Sequence, residues 1–252
     1  MKYLRTAELA KAVGVHPNTV RRYVDRGILP PVERTRSGYR RFTEHHLDCL
    51  RLAHQVYGQY PGKGIYQSGA RIVQVAASGD LGGALELAYR HLALIRSERA
   101  QADVAAHLLE RWAQGAPADA TTQPLQIGQA AQLLGVSIDI LRNWDRNGLI
   151  DIPRDPSNGY RRYGSQELSR LRVIRMLSRA GYSLSAILRM LIQLDRGDKT
   201  NLRRALDTPR PDEDVYQASD RWISTLNDQE QRAHKIIALV EEMIQKQAGS
   251  SG

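Results

Sequence analysis

The sequence predicts a mainly α-helical protein with small β wings, built as two tandem copies of one small head, each followed by a long coiled-coil-like helix. Three observations predict it. The chain matches itself at a fixed spacing, a heptad-patterned run follows each copy, and the excess positive charge is confined to the copies. The chain has 252 residues, with 36 Lys and Arg against 27 Asp and Glu and a net charge of +9. Such a composition is ordinary for a globular protein and excludes collagen-like and wholly disordered readings. The lone cysteine, Cys49, can neither close an internal disulfide nor build a thiolate metal site by itself. No apolar run approaches the roughly 18 residues of a membrane span, and Met1-Lys2-Tyr3 does not open a signal peptide. A cytoplasmic, nucleoid-associated protein is expected.

Internal repeats decide a fold before local propensity does. Set against itself at an offset of 121, the stretch Leu4–Leu52 aligns without a gap with Leu125–Val173, and 13 of the 49 pairs are identical. Among them are Gly14 and Gly135, Arg21 and Arg142, Gly27 and Gly148, and the run Gly38-Tyr-Arg-Arg41 with Gly159-Tyr-Arg-Arg162. Charge follows the repeat. Residues 1–52 carry +6 and residues 125–182 carry +4, whereas 53–124 and 183–252 carry 0 and −1. Two anion-binding heads joined by neutral packing elements account for that pattern.

In the first head, residues 1–78, Thr6 is expected to cap a helix whose Leu9, Ala10 and Val13 share a face, and Gly14 stops it. Pro17 at a first helical position opens a second helix that runs to about Arg26 and ends at Gly27. Two short helices about a glycine turn make a helix-turn-helix, whose second helix enters the DNA major groove. That helix carries Asn18, Thr19, Arg21, Arg22 and Tyr23. Its counterpart in the second head, residues 125–196, carries Asp139, Arg142, Asn143, Trp144 and Arg146. These side chains suit base edges and phosphates. Tyr23 and Trp144 have a second reading, as core aromatics packing the third helix. Beyond each second helix, Ser37-Gly38 or Asn158-Gly159 between short β-prone runs signals a hairpin. Its edge would carry Arg36, Tyr39, Arg40 and Arg41, or Tyr160, Arg161, Arg162 and Tyr163, whose forks and hydroxyls fit phosphate oxygens. Third helices start near Glu44 and Ser165.

Two long helices complete the pattern, over residues 79–114 and 212–247. Leu81, Leu85, Ala88, Leu92, Ile95, Arg99, Ala102, Ala106, Leu109 and Ala113 step by four and three, as do Val215, Ser219, Trp222, Leu226, Gln229, Ala233, Ile236, Val240 and Met243. Each would reach about 50 Å, too long to be buried within one small head. A Pro- and Ala-rich linker is expected at 115–124, a loop with one helical turn at 197–211, and a flexible tail at 248–252.

The segments Leu141-Arg-Asn-Trp-Asp-Arg-Asn-Gly-Leu-Ile150 and Asn158-Gly-Tyr-Arg-Arg-Tyr163, with Val20-Arg-Arg-Tyr-Val-Asp-Arg-Gly-Ile-Leu29 and Ser37-Gly-Tyr-Arg-Arg-Phe42, resemble the winged helix-turn-helix of the MerR family of transcription regulators. The resemblance implies binding of double-stranded promoter DNA by two heads paired through an antiparallel helix pair. It also implies distortion of the promoter so that RNA polymerase can use it. Arg21 and Arg142 match the family's recognition-helix arginine, Tyr23 and Trp144 its second aromatic, and Tyr39, Arg40, Tyr160 and Arg161 its wing contacts. Arg22 and Asn143 replace its first aromatic, and its acid is Val24 in one head but Asp145 in the other, so the heads should read different half-sites. No separate effector module is expected after the second long helix. The two halves are therefore expected to pair with each other, one chain forming a pseudo-dimer, with a homodimer of four heads as the alternative. Such heads would meet two major grooves about 34 Å or a multiple apart.

Other readings are weaker. His16, His45 and His46 have no counterparts in the second repeat and no cysteine partners, so surface or capping roles are expected and no metal or other cofactor. Gly62-Lys-Gly64 lacks the spacing of a phosphate-binding loop. No nucleophile, base and acid cluster together, which argues against an enzyme. The alternative function is a small-molecule or drug-binding sensor or sequestering protein that uses the helical region and the Tyr57–Tyr66 loop.

Overall fold

The computed structural model describes residues 3–115, 123–209 and 218–250. The chain divides into two units, one formed by Met1–Ser97 with Leu226–Gly252, the other by Glu98–Thr225. Each unit therefore combines one head with segments of both long helices. Among the described residues, no helix is long and apolar enough to cross a membrane.

In the first unit, α1 (Thr6–Val13) and α2 (Pro17–Asp25) flank the turn at Gly14, which adopts the left-handed conformation at φ 73°. The expected cap, Thr6, is instead the first helical residue. Arg5 occupies the cap position and its backbone N–H donates to Glu8 Oε2 at 2.6 Å, so the acid three residues into the helix supplies the capping. His16 caps α2 through Nδ1, which accepts the Asn18 N–H at 3.2 Å. Strands β1 (Glu33–Arg34) and β2 (Arg40–Arg41) pair antiparallel as the wing, and a further bridge joins Leu4 to Phe42. α3 (Glu44–Tyr57) and α4 (Lys63–Ala77) close the head over a core of Leu9, Val20, Leu29, Phe42, Leu50, Leu52 and Ile72. The Tyr57–Tyr66 segment is less of a loop than expected, since Tyr57 ends α3 and Tyr66 lies in the first turn of α4.

The first half of α5 (Leu81–Ala113) and most of α11 (Trp222–Ser250) belong to this unit. Leu81, Ala88, Leu92 and Ile95 are buried, Leu85 half so, and on α11 Leu226, Gln229, Ala233, Ile236, Val240 and Met243 are buried. The Tyr89 hydroxyl donates to Glu241 at 3.2 Å and Arg96 Nε donates to Glu230 at 2.7 Å. One partner number falls as the other rises, so these segments run antiparallel. Two more side chains tie α11 to α3: Lys246 Nζ reaches both oxygens of buried Asp48, and Arg232 donates to the Gln55 carbonyl.

In the second unit, α6 (Ile127–Leu134), α7 (Ile138–Arg146), α8 (Ser165–Arg179) and α9 (Leu184–Asp195) repeat the head, with Leu125 bridged to Tyr163 as Leu4 is to Phe42. Ser169, which aligns with Asp48, accepts a hydrogen bond from Trp112 Nε1 on α5 at 2.7 Å. The same position of the third helix thus binds the far end of the other repeat's long helix in both units. Ala102, Ala106, Leu109 and Ala113 are buried on this half of α5. Within the segment expected as a loop with one helical turn lies α10 (Leu202–Asp207). Buried Arg189 secures it, donating to the carbonyls of Ala205, Leu206 and Asp220 and so satisfying helix-end acceptors that lack intrahelical partners. Arg203 on α10 also pairs with Asp103 of α5. Trp222 lies against Gly181, where an added Cβ would sit 2.4 Å from the indole nitrogen.

Several expected boundaries move. α11 opens at Trp222 after a short 3-10 turn at Ala218–Arg221 that contains Ser219, and it continues through Ala248 and Gly249 to Ser250, because nothing in Gln245-Lys-Gln-Ala248 breaks a helix. Residues 116–122 of the expected linker, 210–211 of the expected loop, 212–217 with Val215 of the seam, and 251–252 lie outside the described residues.

His91, on α5, is buried with its Nδ1 lacking a hydrogen-bond partner, and burial pushes its pKa down to about 4. The unfolded chain takes up that proton below about pH 6.5 while the folded one resists until about 4. The neutral ring therefore supports the fold fully above pH 6.5, and stability falls as pH drops from 6.5 towards 4, by up to about 1.4 kcal/mol per pH unit. Urea unfolding of the full chain at pH 7.0 and 5.0 checks this: His91→Leu should lose about 2 kcal/mol less than the parent across that interval.

Candidate nucleic-acid interface

The second helix of each head is strongly two-faced. In α2, Val20 and Tyr23 turn inward, and Asn18, Arg21 and Arg22 are exposed with Thr19 half-buried. In α7, Leu141 and Trp144 turn inward, and Asp139, Arg142 and Arg146 are exposed with Asn143 half-buried. The aligned arginines are steadied in the same way, one helical turn back. Arg21 donates to Asn18 Oδ1 at 2.8 Å, and Arg142 to Asp139 Oδ1 at 3.3 Å. A neutral amide in one head and a carboxylate in the other give the two faces different fields.

Three expected DNA contacts are corrected. Tyr23, Trp144 and Tyr163 are buried, so their rings pack the heads and offer no surface to a base or phosphate. Tyr23 meets the edge of Tyr57 at 5.8 Å. Tyr163 fills the place of Phe42, and its hydroxyl is buried without a hydrogen-bond partner. Burial raises its pKa, as it does that of Tyr23.

On the wings, Tyr39 and Tyr160 stand 75% and 69% exposed, with Arg36, Arg41 and Arg162 also exposed. Arg41 lies over the Tyr3 ring at 4.9 Å, and Arg162 reaches Asp155 at 3.5 Å. Arg40 and Arg161 are engaged differently. Arg40 pairs with Asp25 at the end of α2 at 2.6 Å, and Arg161 grips Asp145 of α7 with Nε at 2.9 Å and a terminal nitrogen at 2.5 Å. Both arginines are partly shielded. Each pins its wing to the adjacent recognition helix, and the stability gained is small for a pair so near the solvent.

The wings also depart from a gapless repeat. Thr35 N–H donates to the Tyr39 carbonyl, whereas Asp155 N–H donates to that of Tyr160, so the second turn is one residue longer. Pairing confirms the slip: Arg34 faces Arg40, but Arg154 faces Arg161. Arg34 and Arg154, which the 121 offset does not align, do the same work, donating to the carbonyls of Gly38 and Gly159 at 3.2 and 3.1 Å. In the second head, Arg142, Arg154, Arg161 and Tyr160 line a cleft of about 300 Å³ between wing and helix, a concave cationic surface suited to phosphate oxygens. Sequence reasoning passed over Asp25, Arg34 and Arg154. The available signal was a lone acid at the end of an otherwise basic helix and an arginine shifted by one place.

A separate groove of about 660 Å³ occurs in the first head, where Arg26 and Arg71 flank Tyr57 and Tyr66. The rings form a chain, Tyr57 to Tyr66 at 5.6 Å and Tyr60 to Tyr66 at 5.4 Å. In the second head, Tyr182 after the corresponding turn is buried and donates to the Ala102 carbonyl, so no such aromatic edge forms there. Cys49 is buried in α3, and desolvation pushes its thiol up to about 12, which leaves it unreactive. Among the described residues, no three His, Cys, Asp or Glu side chains are grouped to hold a metal ion.

The two heads match family models separately. Residues 5–42 match the MerR family regulatory protein and residues 125–194 the MerR HTH family regulatory protein. The mercuric resistance operon regulatory protein of Serratia marcescens is 37% identical over 73 residues, covering 29% of this chain and 50% of the relative. A probable heavy metal-dependent transcriptional regulator of Haemophilus influenzae is 31% identical over 113 residues, covering 45% of this chain and 80% of the relative. The HTH-type transcriptional repressor CarH of Myxococcus xanthus is 29% identical over 96 residues, 37% of this chain and 32% of that protein. The chain thus spans about half the length of the mercuric regulator it matches. No solved structure matches it. With the helix-turn-helix and wing present twice, the chain belongs to the MerR family of regulatory proteins.

Proposed function

We propose that the protein is a transcription regulator that binds double-stranded promoter DNA at a specific, asymmetric site through both winged heads. The observation that carries this is the repeated exposed set of one recognition-helix arginine and one wing tyrosine, Arg21 with Tyr39 and Arg142 with Tyr160. Each set lies on a head that holds the chain's excess positive charge. Arg22, Arg36 and Arg41, with Arg146 and Arg162, extend these faces towards phosphates, and Asn18, Thr19 and Asn143 towards base edges. Arg40 and Arg161 act through position, aiming the wings. On this reading the bound promoter is distorted so that RNA polymerase can use it, and the protein works at the nucleoid.

The long helices of the two repeats pair within one chain. This is supported by the bonds between first-repeat and second-repeat helices in the first unit, Tyr89 to Glu241 and Arg96 to Glu230, and by the buried seam residues Leu92, Ile95, Leu226, Ile236 and Val240. Leu109 and Trp222 extend the buried stripes into the second unit. A second reading is favoured by the tyrosine-lined groove of the first head: a small planar effector would sit against Tyr57 and Tyr66 there and modulate DNA binding, since Arg26 of the groove follows directly on the recognition helix.

DNA binding should weaken steeply with salt, log Kd rising linearly with log salt concentration. Arg21→Ala and Arg142→Ala should each cost about 1–3 kcal/mol and relax preference at a different half-site, while Arg41→Ala should weaken all duplexes alike and lower the salt slope by about one. Selection from a random duplex pool followed by titration at several salt concentrations reads both effects, and salt-insensitive binding would refute the proposal. Light scattering of the free protein should give the 28.3 kDa monomer, whereas tight homodimers alone would replace the one-chain pair with a four-headed dimer.

A further inference from the structure

The two recognition helices differ most at their first turn. On α7 the exposed face has Asp139, Arg142 and Arg146 along its middle and an isoleucine on each side, Ile138 at 37% and Ile140 at 40% exposure. The aligned positions of α2 are Pro17 and Thr19. Folding does not require the isoleucines, because the first head forms the same helix without them and because β-branched residues are mediocre helix formers. Neither side chain is enclosed within its unit, so apolar surface is held in water at the end of the helix that reaches base edges in this kind of head.

We infer that the second head reads thymine through the C5-methyl group, using Ile138 and Ile140, while the first head reads its half-site through the hydrogen-bonding groups of Asn18 and Thr19. The inference rests on the DNA-binding reading above and assigns the base chemistry of each head. In the major groove the methyl of thymine is the apolar feature that distinguishes one base pair from the others, whose edges present donors and acceptors. Burying an exposed isoleucine against it is favourable in proportion to the apolar area removed from water. Arg142 and Arg146 lie between the isoleucines on the same face and draw that face to the anionic duplex, which favours DNA over an apolar protein partner as its occupant. Asp139 adds a carboxylate acceptor there, suited to the amino group of cytosine or adenine and unsuited to guanine edges.

The test uses the full chain and its preferred duplex from pool selection, with each half-site assigned to a head by the preference that Arg142→Ala relaxes. Thymines are then replaced by uracil, which lacks only the methyl, in one half-site at a time, and affinity is read by fluorescence anisotropy. Uracil in the second head's half-site should weaken binding about fourfold per contacted methyl, and uracil in the other half-site should not. A chain carrying Ile138→Ser and Ile140→Asn, polar side chains that bring no methyl to the groove, should bind thymine and uracil duplexes equally while its far-ultraviolet circular dichroism matches the parent's. Equal binding of thymine and uracil duplexes by the parent chain would overturn the inference while leaving DNA recognition intact, as would discrimination that survives in the double variant. Failure to bind any duplex would remove the DNA-binding reading and the inference with it.

Discussion

Burial of the heptad seam is the constraint on which the rest of the structure depends. A winged head of this size has little apolar volume of its own, and the two units meet that shortage in the same way. Each completes its core with the near part of its own long helix and the far part of the other repeat's. Most of the described seam positions are buried, the polar Gln229 among them, while the polar Arg99 and Ser219 are half-buried. Around that stripe the surface bonds are specific but weak, and Tyr89 to Glu241 and Arg96 to Glu230 set direction and register more than stability. Asp48 and Ser169 occupy one position in the two third helices and bind a lysine and a tryptophan respectively. The docking place is kept while its chemistry is exchanged.

The duplication supplies an internal comparison that a single domain lacks. What both copies retain is geometry: the left-handed glycine between the helices, the bridge that closes the head, and the arginine that fastens wing to recognition helix. The acid that receives this arginine has moved by one residue, from Asp25 in the first head to Asp145, the counterpart of Val24, in the second. The longer second wing turn delivers the same Arg-to-carbonyl bond from a shifted position. An interaction has been preserved where a residue has not. The copies diverge in side chains at the aromatic edge of the first head and at the first turn of α7, where Tyr60, Ile138 and Ile140 are exposed.

Much of this was legible in the sequence. Helix starts and stops followed from glycines, a proline and short-range periodicity, because those signals act over a single turn of chain. The seam was legible for the same reason, as a repeated spacing of four and three. Other features depend on contacts across many residues and leave no local trace. Burial of Tyr23, Trp144 and Tyr163 follows from what faces them in the folded head, and an aromatic beside arginines reads alike whether it points in or out. The wing slip was hidden because a residue fewer before the second turn and a residue more within it cancel in a gapless alignment. The helical turn of α10 was expected but its anchoring was not, because Arg189 sits on another helix and looks from sequence like an ordinary surface cation.

Helices from both repeats are joined by Arg96 with Glu230 and Tyr89 with Glu241, residues of a single polypeptide. If the pair is made within one chain, pairing is intramolecular and has no assembly equilibrium to satisfy. Promoter occupancy then scales with the first power of protein concentration, where a dissociable dimer at low concentration would scale with the second. Subunit exchange also disappears, so a related regulator in the same cell could not dilute one head into mixed pairs. Each head is then free to drift towards its own half-site without forcing its partner to follow.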